Sequence, residues 1–270
     1  MRRFFGFLVT AGALVVAALV GYSLVLSWLN PLPLTIENVD GRPLITATQP
    51  ATIEVSDELD NSGYDISYPQ CKGELPTKFV GFAIVGLNGG KPFTANKCFE
   101  RQWEWALTHD AVAVYINTAD PGDESPVRYG KKIAKDSLKR LKKFGVEPGT
   151  PIWLDVETLN TWTSAERSVQ VLTELSIDLT AAGYPVGVYA PRVHWFEITG
   201  GANLGLPTWL AIGPFPDVPT GVAAAKAACF RSSFGGKTPD MVQFVATVDG
   251  VTLDRNILCG SATGLVAPTN

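Results

Sequence analysis

The sequence is poor in the residues that several common kinds of protein chemistry need. It has two histidines in 270 residues, and 26 acidic side chains outnumber 22 basic ones, which leaves a net charge of −4. Two histidines argue against a histidine-rich metal site. The lack of a basic excess argues against nucleic-acid binding. We therefore expect no metal, no other cofactor and no nucleic-acid partner.

Three motifs of familiar chemistry are also missing. The four cysteines show no Cys-x-x-Cys spacing, which excludes a zinc ribbon. No Gly-x-Ser-x-Gly segment is present, which argues against a serine nucleophile. No glycine-rich phosphate loop follows the first strand-like run, although a dinucleotide site would require one.

The amino-terminal segment predicts the compartment. Arg2 and Arg3 precede a run without charged residues from residue 4 to residue 29. As a helix it would be about 39 Å long, which is enough to cross a membrane. The two arginines favour a cytoplasmic amino terminus, so the rest of the chain would lie outside. The length of the run favours an uncleaved anchor over a cleaved signal peptide, and both remain open.

The chain then divides into segments of different composition. Four prolines and several acidic residues follow the apolar run, which is typical of a spacer rather than of a folded domain. We predict an anchor or signal segment (1–33), an extracytoplasmic spacer (34–60), one main domain (61–260) and a carboxyl-terminal tail (261–270).

Export would give the even number of cysteines a structural meaning, because disulfides persist outside the cytoplasm. Four cysteines allow three pairings. Pairing in order along the chain, Cys71 with Cys98 and Cys229 with Cys259, is preferred, but the sequence alone does not prove it.

Eight strand-like runs rich in β-branched and aromatic residues recur in the main domain. They lie at 64–68, 79–87, 111–117, 151–156, 186–189, 208–212, 241–245 and 251–257. Helical patterns lie between several of them, at 99–109, 127–144 and 165–182, and we expect short or missing helices in the second half. This alternation predicts an α/β fold with a parallel sheet, namely an irregular or reduced (β/α)8 barrel. An open doubly wound sheet is the alternative.

The basic face of the predicted helix 127–144 has an ordinary explanation. Its lysines fall mainly away from the apolar stripe of Ala134, Leu138 and Leu141, which is typical of a solvated surface. We prefer that interpretation to a site for acidic polymers.

Acidic residues at strand ends are the candidate catalytic groups. Asp155 and Glu157 flank Val156 after an apolar run, so on a strand both carboxyl groups would lie on one face. Catalytic groups of barrel enzymes lie at the carboxyl ends of strands. Two neighbouring carboxyl groups also raise the pKa of one of them, as cleavage of a glycosidic bond requires. A capping or solvent-exposed role is the alternative.

Asp65 in the first strand and Asp254 in the last are further candidates, since an acid within an apolar strand is costly unless it is paired or functional. The first and last strands of a closed barrel are neighbours, so both acids would face one cavity. For Asp254 a structural role beside Arg255 is the alternative.

Amide and aromatic side chains beside strand ends are candidates for sugar binding. Asn88 and Asn117 end the second and third strands, and Tyr189 and Trp209 lie on the fifth and sixth. Turn formation is the alternative for the amides, and core packing for the rings.

Several segments together resemble the glycoside hydrolase family 25 lysozymes. They are GYDISYPQ (63–70), IWLDVE (152–157), PVGVYA (185–190), PTWLA (207–211), MVQF (241–244) and LDRN (253–256). FAIVGLNGG with FTANKC (82–98) and VYINTADPG (114–122) resemble, more narrowly, the actinobacterial glycoside-hydrolase-like domains of uncertain activity. The LNGG loop and the long basic helix depart from the lysozymes proper.

The resemblance implies an irregular (β/α) barrel and a role for each matching acid. Glu157 would be the proton donor, Asp155 would assist at the reacting centre, and Asp65 would be the first-strand acid. Asp254 and Asn256 match the closing Asp-x-Asn, and Gln243 of MVQF joins Asn88, Asn117, Tyr189, Trp209 and Asp254 as a candidate substrate-binding residue.

The sequence thus predicts an exported, glycoside-hydrolase-like protein that acts on a cell-envelope polysaccharide such as peptidoglycan, and that contacts the membrane through residues 4–29. A glycan-binding module that keeps the cleft without turnover is the alternative.

Overall fold

A computed structural model describes residues 61–77, 80–248, 251–260 and 264–269 of the chain. The predicted apolar segment 4–29 and the predicted spacer 34–60 lie outside these residues. In the described part of the chain, no helix is both long and apolar enough to cross a membrane.

A closed β-barrel organises the described residues. Strands β1 to β8 pair in chain order, and β8 returns to pair with β1, while β9 joins the edge of β3. The eight predicted strands are therefore confirmed as a mixed α/β barrel. Their bounds are β1 Ser62–Ile66, β2 Phe82–Gly86, β3 Ala111–Asn117, β4 Ile152–Asp155, β5 Val186–Pro191, β6 Thr208–Phe215, β7 Met241–Val248, β8 Val251–Leu258 and β9 Ala267–Pro268.

The prediction of a wholly parallel barrel is wrong for the last strand. β1 to β7 run parallel, but β8 is antiparallel to both β7 and β1. Only residues 249 and 250 separate β7 from β8. A parallel connection needs a crossover of about a dozen residues or more, so this short connection forces an antiparallel pair.

Five α-helices lie between the strands in the described residues. They are α1 Phe99–Ala106, α2 Pro126–Lys143, α3 Ala165–Ala181, α4 Arg192–Thr199 and α5 Val218–Ala228. α4 has 8 residues and α5 has 11, whereas α2 has 18 and α3 has 17. The predicted shortening of helices in the second half is therefore confirmed.

The helices bury their apolar stripes against the outside of the barrel. On α2, Ala134 and Leu141 are buried and Leu138 is partly buried, as the periodicity predicts. The opposite face carries exposed lysines, two of which form ion pairs with Glu124 and Glu174. The basic face of α2 is thus a solvated outer surface.

Large side chains fill the lower part of the barrel interior. Phe82 on β2, Trp153 on β4 and Trp209 on β6 are each about 1% exposed. Glycines on the neighbouring strands leave room for two of these rings. A Cβ on Gly63 would lie 2.3 Å from the Phe82 ring, and a Cβ on Gly187 would lie 2.4 Å from the Trp153 ring. The barrel is therefore a packed core at this level and not a pore.

The carboxyl-terminal segment closes the bottom of the barrel. Residues 261–270 are predicted to be a tail, yet Leu265 and Val266 are buried among the interior side chains. The Trp153 indole donates a hydrogen bond to the Leu265 carbonyl (3.2 Å), and β9 pairs with the first residues of β3. Strand β4 starts opposite Val114, which leaves the beginning of β3 free to pair with β9. The opposite end of the barrel, where strands β1 to β7 end, remains open.

Both disulfides join residues in order along the chain, which confirms the preferred pairing. Cys71 bonds to Cys98, and Cys229 bonds to Cys259. The first bond ties the loop after β1 to the start of α1. The second ties the end of α5 to the end of β8.

The close approach of β5 to the Trp153 ring generates a prediction about stability. We expect Gly187→Ala to lower the free energy of unfolding by about 1–3 kcal/mol, because overpacking forces the ring or the strand to move. Gly73→Ala is the matched control, since its Cβ would meet no atom within 4 Å. Urea unfolding monitored by tryptophan fluorescence measures both changes. Equal midpoints for the two variants would contradict this account of the barrel interior.

Candidate active site

An open cavity of about 460 Å³ lies at the end of the barrel where the parallel strands finish. Its size falls within the range of small-ligand sites. All the strand-borne acids singled out from the sequence line it, together with amide and aromatic side chains. The acidic, amide and aromatic residues of its lining include Asp65, Tyr115, Asn117, Asp155, Glu157, Tyr189, Trp209, Gln243 and Asp254.

Strand alternation brings the carboxyl groups together. Asp155 is the last residue of β4, and Glu157 follows two positions later on the same face. On the other side of the barrel, Asp65 of β1 lies directly opposite Asp254 of the antiparallel β8. Four acids from three separate parts of the sequence therefore line one cavity.

Two amide side chains hold the Asp65 carboxylate. Gln243 Nε2 donates to both of its oxygens at 3.1 Å, and Asn256 Nδ2 donates to one of them at 2.8 Å. The amide oxygens are occupied as well. Tyr189 donates its hydroxyl proton to Gln243 (2.8 Å), and the Trp209 indole donates to Asn256 (2.9 Å). This chain of bonds fixes the orientation of Asp65 from β5, β6, β7 and β8.

The Asp155 carboxyl group has fewer hydrogen-bond partners than that of Asp65. Asn117 Nδ2 donates to Asp155 Oδ2, and both residues line the cavity. The other carboxyl oxygen of Asp155 and the amide oxygen of Asn117 are buried and have no hydrogen-bond partner among the described residues. A buried polar atom without a partner is costly, so a donor that reached these two oxygens would relieve that cost.

Glu157 lies nearer to solvent than the aspartates, with 23% of its side chain exposed. The Trp162 indole donates to the Glu157 carbonyl (2.9 Å) and fixes the backbone there. His194, on the first turns of α4, places Nδ1 3.9 Å from the carboxyl oxygen Glu157 Oε1. This Nδ1 atom is buried and has no hydrogen-bond partner among the described residues.

Burial raises the pKa of both deeply placed aspartates. For Asp65 the charge of Asp254 adds to the effect of burial, while the hydrogen bonds from the two amides oppose it. For Asp155 the charges of Glu157 and Asp65 add to the effect of burial, and the bond from Asn117 opposes it. Neighbouring carboxyl groups thus make both of these aspartates harder to ionise.

The two more accessible acids show the same direction. Burial raises the pKa of Glu157, although a protonated His194 would lower it. Burial and the charge of Glu157 together raise the pKa of Asp254 to about 6. The cavity is therefore one in which a carboxyl group keeps its proton at a higher pH than in water.

Aromatic rings form the floor of the cavity. The rings of Tyr189 and Trp209 lie 4.5 Å apart between centroids, and Tyr115 packs edge-on against Trp209 at 6.4 Å. Trp209 is almost wholly buried, so it supports the floor more than it offers a surface. Tyr115 was not identified from the sequence, although its alternating position on β3, two residues before Asn117, is a signal that could have found it.

Asn88 is the one predicted site residue that the structure places outside the cavity lining. Its amide group donates to the Asn117 carbonyl (3.0 Å), and its side-chain oxygen accepts from the Asn117 backbone N–H (3.1 Å). Both functions of the amide are therefore used to hold the end of β3, a structural role that differs from the turn formation considered above for this residue.

The comparison with known proteins begins with sequence. No family model matches the chain. A curated protein of Dictyostelium discoideum named probable GH family 25 lysozyme 2 is 32% identical over 84 residues. The match covers 30% of this chain and 39% of the Dictyostelium protein, so the chain spans well under half the length of that relative.

Solved structures match over most of the chain. A family 25 lysozyme of Aspergillus fumigatus matches with a TM-score of 0.56 and 17% identity, over 76% of this chain and 96% of that one. A bacterial lysozyme of Streptomyces coelicolor matches with a TM-score of 0.55 and 18% identity, over 74% and 93%. A modular autolysin of Streptococcus pneumoniae, solved with a synthetic peptidoglycan ligand, matches with a TM-score of 0.50 and 16% identity, over 73% and 46%. The barrel described above is thus similar to the glycoside hydrolase family 25 lysozymes in its fold.

Proposed function

We propose that this protein is a glycoside hydrolase that cleaves a cell-envelope polysaccharide, with peptidoglycan as the first candidate. One observation carries the proposal: a partly exposed Glu157 with a raised pKa shares a cavity with the buried acids Asp155 and Asp65. Cleavage of a glycosidic bond uses one protonated and one ionised carboxyl group. The names of the structural relatives, lysozymes and an autolysin, support the same class of substrate.

Glu157 is the proton donor in this proposal because it is partly exposed, whereas Asp65 and Asp155 are buried. Its proton passes to the glycosidic oxygen as the bond from that oxygen to the sugar C1 breaks. Water then supplies a hydroxyl group to C1 and returns a proton to Glu157. Whichever of Asp155 and Asp65 is ionised stabilises the positive charge that develops at the sugar between these events.

The remaining lining residues hold the substrate. Asn117 and Asp155 each offer an unpartnered oxygen, which suits the hydroxyl and acetamido N–H groups of a sugar. Tyr189 offers a ring face beside them, over the support of Trp209. Gln243 and Asp254 complete the opposite wall.

The compartment belongs to the same proposal. Both disulfides suit an oxidising environment, and a polysaccharide of the envelope is met outside the cytoplasm. The apolar run 4–29 remains the predicted export or anchoring segment.

Substitution of the proposed acid tests the activity directly. We expect Glu157→Gln to reduce the release of reducing ends from peptidoglycan by about 100-fold or more, because a positioned acid contributes about that much. Glu147→Gln, on the exposed surface remote from the cavity, is the matched control and should retain full activity. Wild-type protein that binds the glycan without ever cleaving it would instead establish a glycan-binding module. Equal cleavage by wild type and Glu157→Gln would remove Glu157 from the mechanism.

The contact between His194 and Glu157 predicts a change in pH dependence. A protonated His194 lowers the pKa of Glu157, so His194→Gln should raise that pKa. Because the donor must carry its proton, the alkaline limb of the kcat/KM profile should then move to higher pH. Profiles of wild type and variant, measured at constant ionic strength, check this shift. An unchanged alkaline limb would show that His194 does not influence the acid.

A site that buries acids for catalysis should lose stability as they ionise. The pKa of Asp254 is about 6 in the folded chain and about 3.9 when unfolded, so wild-type stability falls as the pH rises through this interval. We expect Asp254→Asn to gain about 2 kcal/mol relative to wild type between pH 4 and pH 7. Denaturant unfolding at both pH values measures the gain.

Asp217 provides a control of opposite sign for this experiment. It caps α5 by accepting from the Thr220 backbone N–H (2.8 Å), and this bond lowers its pKa. Asp217→Asn should therefore be destabilised relative to wild type at pH 7, and the difference should shrink toward pH 3. If both variants shift in the same direction with pH, burial of Asp254 is not the cause.

A further inference from the structure

A second hollow of about 190 Å³ adjoins the main cavity. Lys91, Leu159 and Asn160 line both spaces, so the two form one continuous groove. Pro92 and Tyr129 provide further walls of the second hollow. Flat apolar faces beside an amide are features that suit a sugar ring, and Leu159 is 86% exposed at the junction.

Lys91 is the only charged residue that lines the second hollow in the described part of the chain, and the only cation that lines the main cavity there. Its ammonium group forms no hydrogen bond or ion pair with the described residues. The groove therefore has carboxyl groups at one end and the unpaired ammonium group of Lys91 where the two spaces meet.

The loop that carries Lys91 is held rigidly. Thr94 accepts from the Gly89 backbone N–H (3.1 Å) and donates to the Lys91 carbonyl (2.6 Å). Phe93 adopts a left-handed conformation with φ +65°, and its ring packs edge-on against Tyr129 at 5.7 Å. A non-glycine residue in that region is strained, and such strain persists where the surroundings fix a functional loop.

The opposite wall is equally fixed. Arg167 forms two hydrogen bonds of 2.9 Å with the buried carboxylate of Asp120. Asp120 in turn receives a bond from the Thr163 hydroxyl (2.8 Å) and donates its backbone N–H to Thr161 (2.8 Å). The segment that carries Leu159 and Asn160 is thereby tied to the loop after β3, so both sides of the hollow are formed before any ligand arrives.

We propose that the second hollow is a subsite for a sugar that carries an anionic group, a carboxylate or a phosphate, which Lys91 binds. This inference rests on the proposed function and specifies its substrate class as an acidic glycan. Because the acids of the main cavity repel an anion, Lys91 also fixes the direction of the chain, with the anionic sugar on the side of the second hollow. An ammonium group recognises charge without a fixed geometry, so carboxylate and phosphate share this chemistry.

Binding to a protein that cannot turn over tests the subsite. Full-length Glu157→Gln protein is titrated calorimetrically with three tetrasaccharides: neutral chitotetraose, the alternating N-acetylglucosamine and N-acetylmuramic acid tetramer, and chitotetraose carrying one 6-phosphate. We expect one or both acidic ligands to bind about tenfold more tightly than the neutral one at low salt. The better acidic ligand identifies the source of the anionic group.

Three second-site variants isolate the charge of Lys91. Lys91→Met should abolish the preference and leave affinity for chitotetraose unchanged, whereas Lys91→Arg should keep the preference. Lys97→Met, exposed on the same loop and outside both hollows, is the matched control and should behave as the parent. A preference that survives in Lys91→Met, or an equal loss for all three ligands, overturns the inference.

Two further outcomes separate this inference from the proposed function. Equal binding of all three ligands, together with cleavage of peptidoglycan by wild type, overturns the acidic subsite and leaves the hydrolase intact. Failure of every ligand to bind, together with no cleavage by wild type, overturns both.

Discussion

The site depends on how the barrel closes around the carboxylate of Asp65. β8 inserts antiparallel between β7 and β1, so that Asn256 and Gln243 approach Asp65 from two different strands. A buried carboxylate without donors would be too costly to keep, and these two amides provide them. Tyr189 and Trp209 then orient the amides from β5 and β6. One buried acid thus couples the closure of the barrel to the geometry of the cavity floor.

Stability and chemistry occupy opposite ends of the same barrel. At the bottom, interior rings fit beside glycines, and residues 265–268 cover them, so this end is apolar and closed. At the top, four carboxyl groups with raised pKa values face an open cavity, an arrangement that works against folding. The packed bottom offsets this cost, because apolar burial there does not depend on the protonation of any group. The barrel can therefore keep acids that would destabilise a smaller core.

The local sequence pattern predicts those parts of the site that depend on strand periodicity. Period-two alternation and position at the ends of apolar runs were enough to place Asp65, Asp155 and Glu157 at one mouth. The antiparallel β8 has a local signal too, since Asp249-Gly250 is a dipeptide typical of hairpins and could have predicted it. Contacts that depend on the tertiary fold have no corresponding local pattern in the sequence. The bond from Trp153 to Leu265 joins residues 112 positions apart, and nothing in the sequence near His194 indicates its approach to Glu157.

The segments whose sequence departs from the lysozymes lie beside the four acids and do not include them. The loop after β2, which carries Lys91, and the long basic helix α2, whose first turn carries Tyr129, are the segments that depart from the lysozymes. Both border the second hollow, whereas the acids on β1 and at the end of β4 line the main cavity. The acids must keep a fixed geometry to move a proton, but the flanking walls need only fit the neighbouring sugars of a polymer. In the proposed function, changes in those walls would alter which glycan is held while the arrangement of the acids stays the same.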